Sequence, residues 1–288
     1  MKTIVFLLVL FISNLAFAEI ALYTSESLTP KTVNDISNVI NGFTKNDSQK
    51  NILFYVHGRS KTLEKEWRNI QEVERVFNLK VIMLHWDSWN YMLSRPVGNA
   101  INASQMLNDS VAEFAKIKQE HPEYFQNKKL FLLCHSMGNI TFKSYIEKFE
   151  TSKLDPKLFD SVILSGADTP FTKHYKWLKQ VNFSPNINVI MNENDAVLLA
   201  SSVHDYTIFN IQDDRLGLGL GLDNFLFFNK NTAENATYYD LTKVSGSEHR
   251  HYLSSRVEVR ALFHYLFQES GELLNVPHNQ SKNLIRLR

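Results

Sequence analysis

Leu132-Leu133-Cys134-His135-Ser136-Met137-Gly138 is the stretch on which the reading of this chain turns. From Leu130 it begins as a continuous apolar run, the pattern of a strand buried on both faces. It stops abruptly at a serine. Beyond it, Phe142, Tyr145, Ile146 and Phe149 fall at i, i+3, i+4 and i+7, the stripe of an amphipathic helix. A serine on such a strand-to-helix turn is pressed into a strained conformation, and its neighbours two before and two after must be small. Gly138 meets that demand on one side. Cys134 stands on the other, small enough, though the G-x-S-x-G pattern has glycine there. The rival reading is a serine capping an ordinary helix. Cys134 reads as packing, since it and His135 point to opposite faces of a strand.

A serine hydroxyl is a weak nucleophile and needs a base, a fixed geometry and a seat for the developing oxyanion. A second stretch, Phe54-Tyr55-Val56-His57-Gly58, also ends a strand at a sharp turn. For a nucleophile so placed, one oxyanion donor comes from the residue after it and one from the loop after this earlier strand. These are the backbone N–H groups of Met137 and Arg59, with Gly58 or Ser60 as the neighbours to which the second could slip. His57 reads as a scaffold histidine bonded within its own loop.

Asp195, in Asn192-Glu193-Asn194-Asp195 after the strand Ile187–Met191, is the candidate acid that orients the base. Glu193 is its rival at the same strand end. Asp168 reads instead as a helix cap before Thr169-Pro170. His249 is the candidate base, with His251 as competitor. A metal reading of His249-x-His251 with Glu248 is set aside for want of a partner cluster at recognisable spacing. Catalysis needs neutral imidazole, so the rate is expected to fall as pH drops through about 6.5, the ordinary histidine value.

Further strands are expected at 51–56, 81–84, 162–164 and 238–241. Helices are expected from the stripes Leu63-Trp67-Ile70-Phe77 (capped by Ser60 or Thr62), Met106 or Leu107 with Val111 and Phe114, and residues 255–267. Strand and helix alternate, which predicts an α/β fold: a mostly parallel sheet with helices on both faces. Its site should lie at the carboxyl ends of the strands.

The 288 residues, 44% of them hydrophobic, suffice for one large core. A net charge of +1 argues against nucleic acid as a partner. Met1-Lys2, the apolar run Ile4–Ile12 and Ala16-Phe17-Ala18 read as a secretory signal over residues 1–18. The mature chain, 19–288, is then expected to be one domain, exported to the periplasm or beyond. The single cysteine forms no intramolecular bridge.

Several pieces together resemble the alpha/beta-hydrolase superfamily, and within it a lipase- and esterase-like bacterial group of hydrolases of unknown function. They are His57-Gly58, Trp86-Asp87-Ser88, His135-Ser136-Met137-Gly138-Asn139, Asp195-Ala196-Val197-Leu198, Arg215-Leu216-Gly217 and His249-Arg250-His251-Tyr252-Leu253. The order Ser, Asp, His matches, and a Tyr-rich stretch after the histidine favours His249 over His251. Asp87 stands where the group often has proline. The resemblance implies a Ser136-Asp195-His249 hydrolase needing no cofactor.

Two segments, about 86–100 and 203–236, occupy lid-like positions and are rich in apolar residues, among them Leu216-Gly-Leu-Gly-Leu-Gly-Leu222 and Phe225-Leu-Phe-Phe228. They could line an acyl pocket, form a satellite core, or touch lipid aggregates. The expected substrate is a small-molecule or lipid ester. An acyltransferase with the same residues, and a non-catalytic secreted binding module on this fold, are the alternatives. Sequence does not give the oligomeric state.

Overall fold

The computed structural model describes residues 20–47, 49–90, 95–209, 214–219, 232–268 and 283–287. Among the described residues nine strands form one sheet: β1 Ala21–Thr24, β2 Ser27–Lys31, β3 Asn51–Val56, β4 Leu79–His85, β5 Leu130–His135, β6 Ser161–Ser165, β7 Ile187–Met191, β8 Ala236–Asp240 and β9 Leu284–Arg286. Their order is β2-β1-β4-β3-β5-β6-β7-β8-β9. From β4 to β9 all neighbours are parallel, and β1 runs antiparallel to both β2 and β4. The main helices are α1 Ile36–Asn46, α2 Leu63–Phe77, α3 Val97–Glu120, α4 Gly138–Lys148, α5 His174–Leu178, α6 Ala196–Phe209 and α7 Val257–Gln268.

Side chains alternate across the sheet into two cores. Leu130, Leu132 and Cys134 of β5 pack with Ile40, Phe43, Leu107, Phe114, Phe142 and Tyr145 from α1, α3 and α4. Phe131 and Leu133 pack on the other face with Ile70, Val73 and Phe77 of α2 and Phe263 and Phe267 of α7. Burial on both faces explains the unbroken apolar runs read as strands.

The order of the strands positions the site. After β3 the chain moves outward through α2 to β4. It then returns across β3 to β5 and continues the other way through α4 to β6. The loops leaving β3 and β5 thus diverge to opposite faces and leave a crevice at the strand ends. Thr62 caps α2, its side chain accepting from the Lys65 N–H at 3.3 Å. Asn78, left-handed at φ +53°, stops the helix and feeds straight into β4.

One expectation is corrected. Asp168-Thr169-Pro170 does not start a helix; α5 begins at His174. Pro170 instead forms an isolated bridge to Arg215, and the Asp168 carboxylate is taken by arginines. The described parts of the lid-like segments carry secondary structure that the sequence reading did not assign. In 86–100, Trp86 is fully buried and residues 97–100 begin α3. In 203–236, α6 extends to Phe209 and Leu216–Leu218 is a short 3-10 turn. Residues 91–94, 210–213 and 220–231 of these segments, and the signal reading of 1–18, lie outside the described residues.

Candidate active site

The turn from β5 to α4 has only Ser136 and Met137 in which to reverse the chain. Ser136 adopts φ +52°, a left-handed conformation that costs a side-chain-bearing residue about 1–2 kcal/mol. Several bonds hold it there. Its N–H donates to the Ser165 carbonyl at 3.0 Å, and its own carbonyl accepts from the Asn139 and Asp168 N–H groups at 3.0 and 3.2 Å. The buried Asn139 amide adds bonds to the Cys134 and Ser136 carbonyls at 3.0 and 3.1 Å. This clamp was not read from the sequence; an asparagine one turn into a helix gives no special signal.

Small residues are required around the turn. A Cβ on Gly138 would lie 2.4 Å from the Val56 carbonyl oxygen, and one on Gly58 2.5 Å from the Ser136 Cβ. The loop after β3 is therefore pressed against the serine. Cys134 is tolerated because its side chain points away, into the core on the α3–α4 side. Burial pushes its thiol pKa well up, so it stays protonated.

The acid and base candidates come from the far strands. Asp195 is fully buried between β7 and α6. One carboxylate oxygen accepts from the Val197 and Leu198 N–H groups, both at 3.0 Å. The other lies 2.7 Å from His249 Nδ1. An Nδ1–H donated there leaves Nε2 of a neutral ring as a proton acceptor. His249 and Ser136 line one cavity of about 460 Å³, together with Arg59, Trp89, His135, Val197 and Arg250.

The competitors are placed elsewhere. His251 is buried beside the Ser165 hydroxyl at 3.4 Å, and burial lowers its pKa to about 4. Glu193 sits at the start of the loop, its N–H held by the Thr242 hydroxyl at 3.1 Å. The Ser60 N–H donates to the Ser88 hydroxyl at 3.0 Å, which commits it to the scaffold. Met137 lies at the positive end of α4. The Arg59 guanidinium stacks 4.2 Å over the Trp89 ring in the cavity wall.

His57 is indeed a scaffold residue. The Trp86 N–H donates to its Nε2 at 3.2 Å, so Nε2 accepts and Nδ1–H donates to the Gly58 carbonyl. His85 Nδ1, 2.9 Å from the same Nε2, is then also a donor. Burial lowers the His57 pKa to about 4. Burial and then the neighbouring His57 lower that of His85 to about 3. The Trp86 indole closes the loop on the His57 carbonyl at 2.9 Å.

A polar cluster backs the His249 segment. The buried Glu66 of α2 faces Arg250 at 3.4 Å and the Tyr55 hydroxyl at 3.3 Å, and Tyr55 meets the Tyr252 hydroxyl at 2.7 Å. His135 Nε2–H donates to the His249 carbonyl at 3.3 Å, and the two rings lie 4.7 Å apart. Burial, then the adjacent His249, holds His135 well below the ordinary histidine range. Neutral imidazole, not imidazolium, therefore abuts His249.

A separate box of charge lies beyond Asp168. Arg95 Nη2 is 3.0 Å from Asp168, and Arg215 Nε is also 3.0 Å from it, an ion pair rather than a directed hydrogen bond. Both arginines pair with Asp205 of α6, and the Ser201 hydroxyl donates to Asp168 at 2.8 Å. Burial alone would raise the Asp205 pKa, but Arg215 and Arg95 hold it below the usual range. Among the described residues no group of three or more His, Cys, Asp or Glu could hold a metal ion.

The profile of a family described as alpha/beta hydrolases of unknown function (DUF900) matches residues 33–264. No curated protein matches the chain. Among solved structures, a cold-adapted esterase from an Arctic intertidal metagenomic library aligns at 14% identity and TM-score 0.37, over 68% of this chain and 74% of that one. A zinc-bound structure of such an esterase aligns at 13% and 0.31, over 67% and 71%. TT1662 of Thermus thermophilus aligns at 13% and 0.42, over 75% and 89%.

Proposed function

The chain belongs to this family of alpha/beta hydrolases, and we propose that it hydrolyses carboxylic esters through an acyl-enzyme on Ser136. The observation that carries the reading is one cavity walled by a serine on a left-handed turn and by a histidine tied to a buried aspartate. His249 Nε2 takes the Ser136 Oγ proton as Oγ attacks the acyl carbonyl. Asp195 fixes the ring and stabilises the imidazolium. The oxyanion is received by the N–H groups of Met137 and Arg59. His249 then gives the proton to the leaving alkoxide. Water, deprotonated by the same ring, attacks the acyl-enzyme; as the bond to Ser136 Oγ breaks and the acid leaves, the imidazolium returns that proton to Oγ.

We further propose that residues 1–18 direct export and that the mature chain starts at Glu19. Among the described residues no helix is long and apolar enough to cross a membrane.

The test is intact mass of residues 19–288 after treatment with a fluorophosphonate, beside Ser136→Ala. One adduct on the wild type and none on the variant is expected, together with loss of ester hydrolysis in the variant. A folded wild type that takes no adduct would overturn the reading. The mass of protein recovered outside the cytoplasm tests the cleavage site.

A further inference from the structure

His249 stands on a stretch without regular structure, between a short helix at Thr242–Ser245 and a 3-10 turn at His251–Leu253. Side chains from two strand ends hold that stretch by its carbonyl groups. From beyond β7, the fully buried Asn192 amide donates to the Gly246 and Glu248 carbonyls at 2.9 and 3.2 Å. From the end of β5, His135 Nε2–H donates to the His249 carbonyl at 3.3 Å. Asn192 lies three residues before Asp195, and so ties the stretch to the acid. His135 lies one residue before Ser136, and so ties it to the nucleophile. The His135 ring has little room to turn. It is 3% exposed, the Tyr252 ring meets it edge-on at 5.1 Å, and a Cβ on Gly58 would stand 3.1 Å from its Nδ1.

We propose that His135 is a positioning residue that sets the span between Ser136 and His249. The proposal rests on the reading of these two as nucleophile and base. Through His135, the path from the serine to the backbone of His249 is one peptide link, one side chain and one hydrogen bond. The path through Asp195 is longer, because it crosses from β5 over β6 to β7 before it meets the ring. Asp195 therefore fixes the tautomer and direction of the His249 ring, while its reach to the serine depends on the strands between. The His135 bond shortens that dependence to a single residue. Misplacement of reacting groups by about 1 Å can cost roughly 10²-fold in rate, so this bond bears on kcat. His135 transfers no proton in this role; its Nε2–H stays on the His249 carbonyl.

The experiment compares the mature wild type with His135→Phe and His135→Gln. It reads kcat and KM on 4-nitrophenyl butyrate and the rate of fluorophosphonate labelling. Phenylalanine keeps a ring and loses the donor. The glutamine amide reaches the place of Nε2 and donates, but takes no proton. His135→Phe is expected to lose at least about tenfold in kcat and in labelling rate, with KM within about twofold. His135→Gln should recover most of that loss. The downfield proton resonance of the His249–Asp195 hydrogen bond, identified by its absence in Asp195→Asn, should persist in both variants, since Asn192 and Asp195 still hold the ring. Should phenylalanine unfold the chain, His135→Asn, whose shorter amide does not reach the His249 carbonyl, takes its place. A donor-less variant that reacts as fast as the wild type would overturn the proposal, as would a glutamine variant no faster than phenylalanine. Loss of the downfield proton together with activity would also overturn it, because His135 would then support the segment only in general. A wild type that takes no adduct overturns the reading of Ser136 and this role with it, a result distinct from the other three.

Discussion

Asp168 and Asp195 stand beyond the ends of neighbouring parallel strands, β6 and β7, and both are buried. Their surroundings put them to opposite uses. Asp168 receives two guanidinium groups and a hydroxyl, and its charge is answered in full by fixed cations. Asp195 receives two backbone N–H groups on one oxygen and an imidazole on the other. Only the second arrangement has a partner whose charge can change during a reaction. A buried carboxylate at a strand end is therefore no evidence of chemistry in itself; the kind of cation facing it decides.

The sharpest way to break this contrast is to neutralise each carboxylate. Asp195→Asn should lower kcat on esters by roughly 10³–10⁴-fold by spoiling the tautomer of His249. The amide can still cap α6, so the urea midpoint should move little. Asp168→Asn should do the reverse. It leaves Arg95 and Arg215 short of a buried counter-charge, a loss of about 3–5 kcal/mol in stability, while kcat of the folded fraction stays within about tenfold. An inactive but stable Asp168→Asn, beside an active Asp195→Asn, would invert the assignment.

Acid titration separates the two regions further. His57, His251 and His174 are buried neutral, with pKa values lowered to about 4, and His85 to about 3. Between the ordinary histidine value of about 6.5 and those values, the unfolded chain binds protons that the folded chain refuses. Stability should therefore fall by a few kcal/mol as pH drops from about 6.5 to about 4. The charge box responds later. Asp205 is held below the carboxylate range, so its contribution is lost only as pH falls below about 4. Urea midpoints at three pH values read this order.

Smaller effects test the support of His249. Glu66→Gln removes the charge facing Arg250 and should lower kcat about tenfold by letting the His249 segment shift, with KM nearly unchanged. A parallel rise in KM would point to general loosening. The smallest effect concerns the turn itself. Ser136→Gly should be about 1 kcal/mol more stable than Ser136→Ala, because glycine adopts the left-handed conformation without penalty.

The doubly buried strands were legible because each is an unbroken apolar run. The serine turn was legible because strand, small residue and helix stripe follow one another within twenty residues. The edge elements were not. β9 has three residues, and β1 and β2 are short, with β2 largely exposed. α1 escaped notice although Ile36, Ile40 and Phe43 carry its stripe. Asp168-Thr169-Pro170 misled because a helix cap and an ion-pair ligand have the same local sequence. Arg95 and Arg215, which decide between them, lie 73 and 47 positions away in the chain. His249 and His251 differ only in which way each ring faces, and that is set by the fold around them.

The cysteine that stands where the serine motif has glycine is also the only thiol in the chain. It lies two residues before Ser136, fully buried and protonated. A thiol reagent can reach it only when the end of β5 comes open. The rate of Cys134 labelling under native conditions is thus a built-in clock for how often the turn that carries Ser136 breathes. It needs no tag, no engineered probe and no knowledge of the substrate.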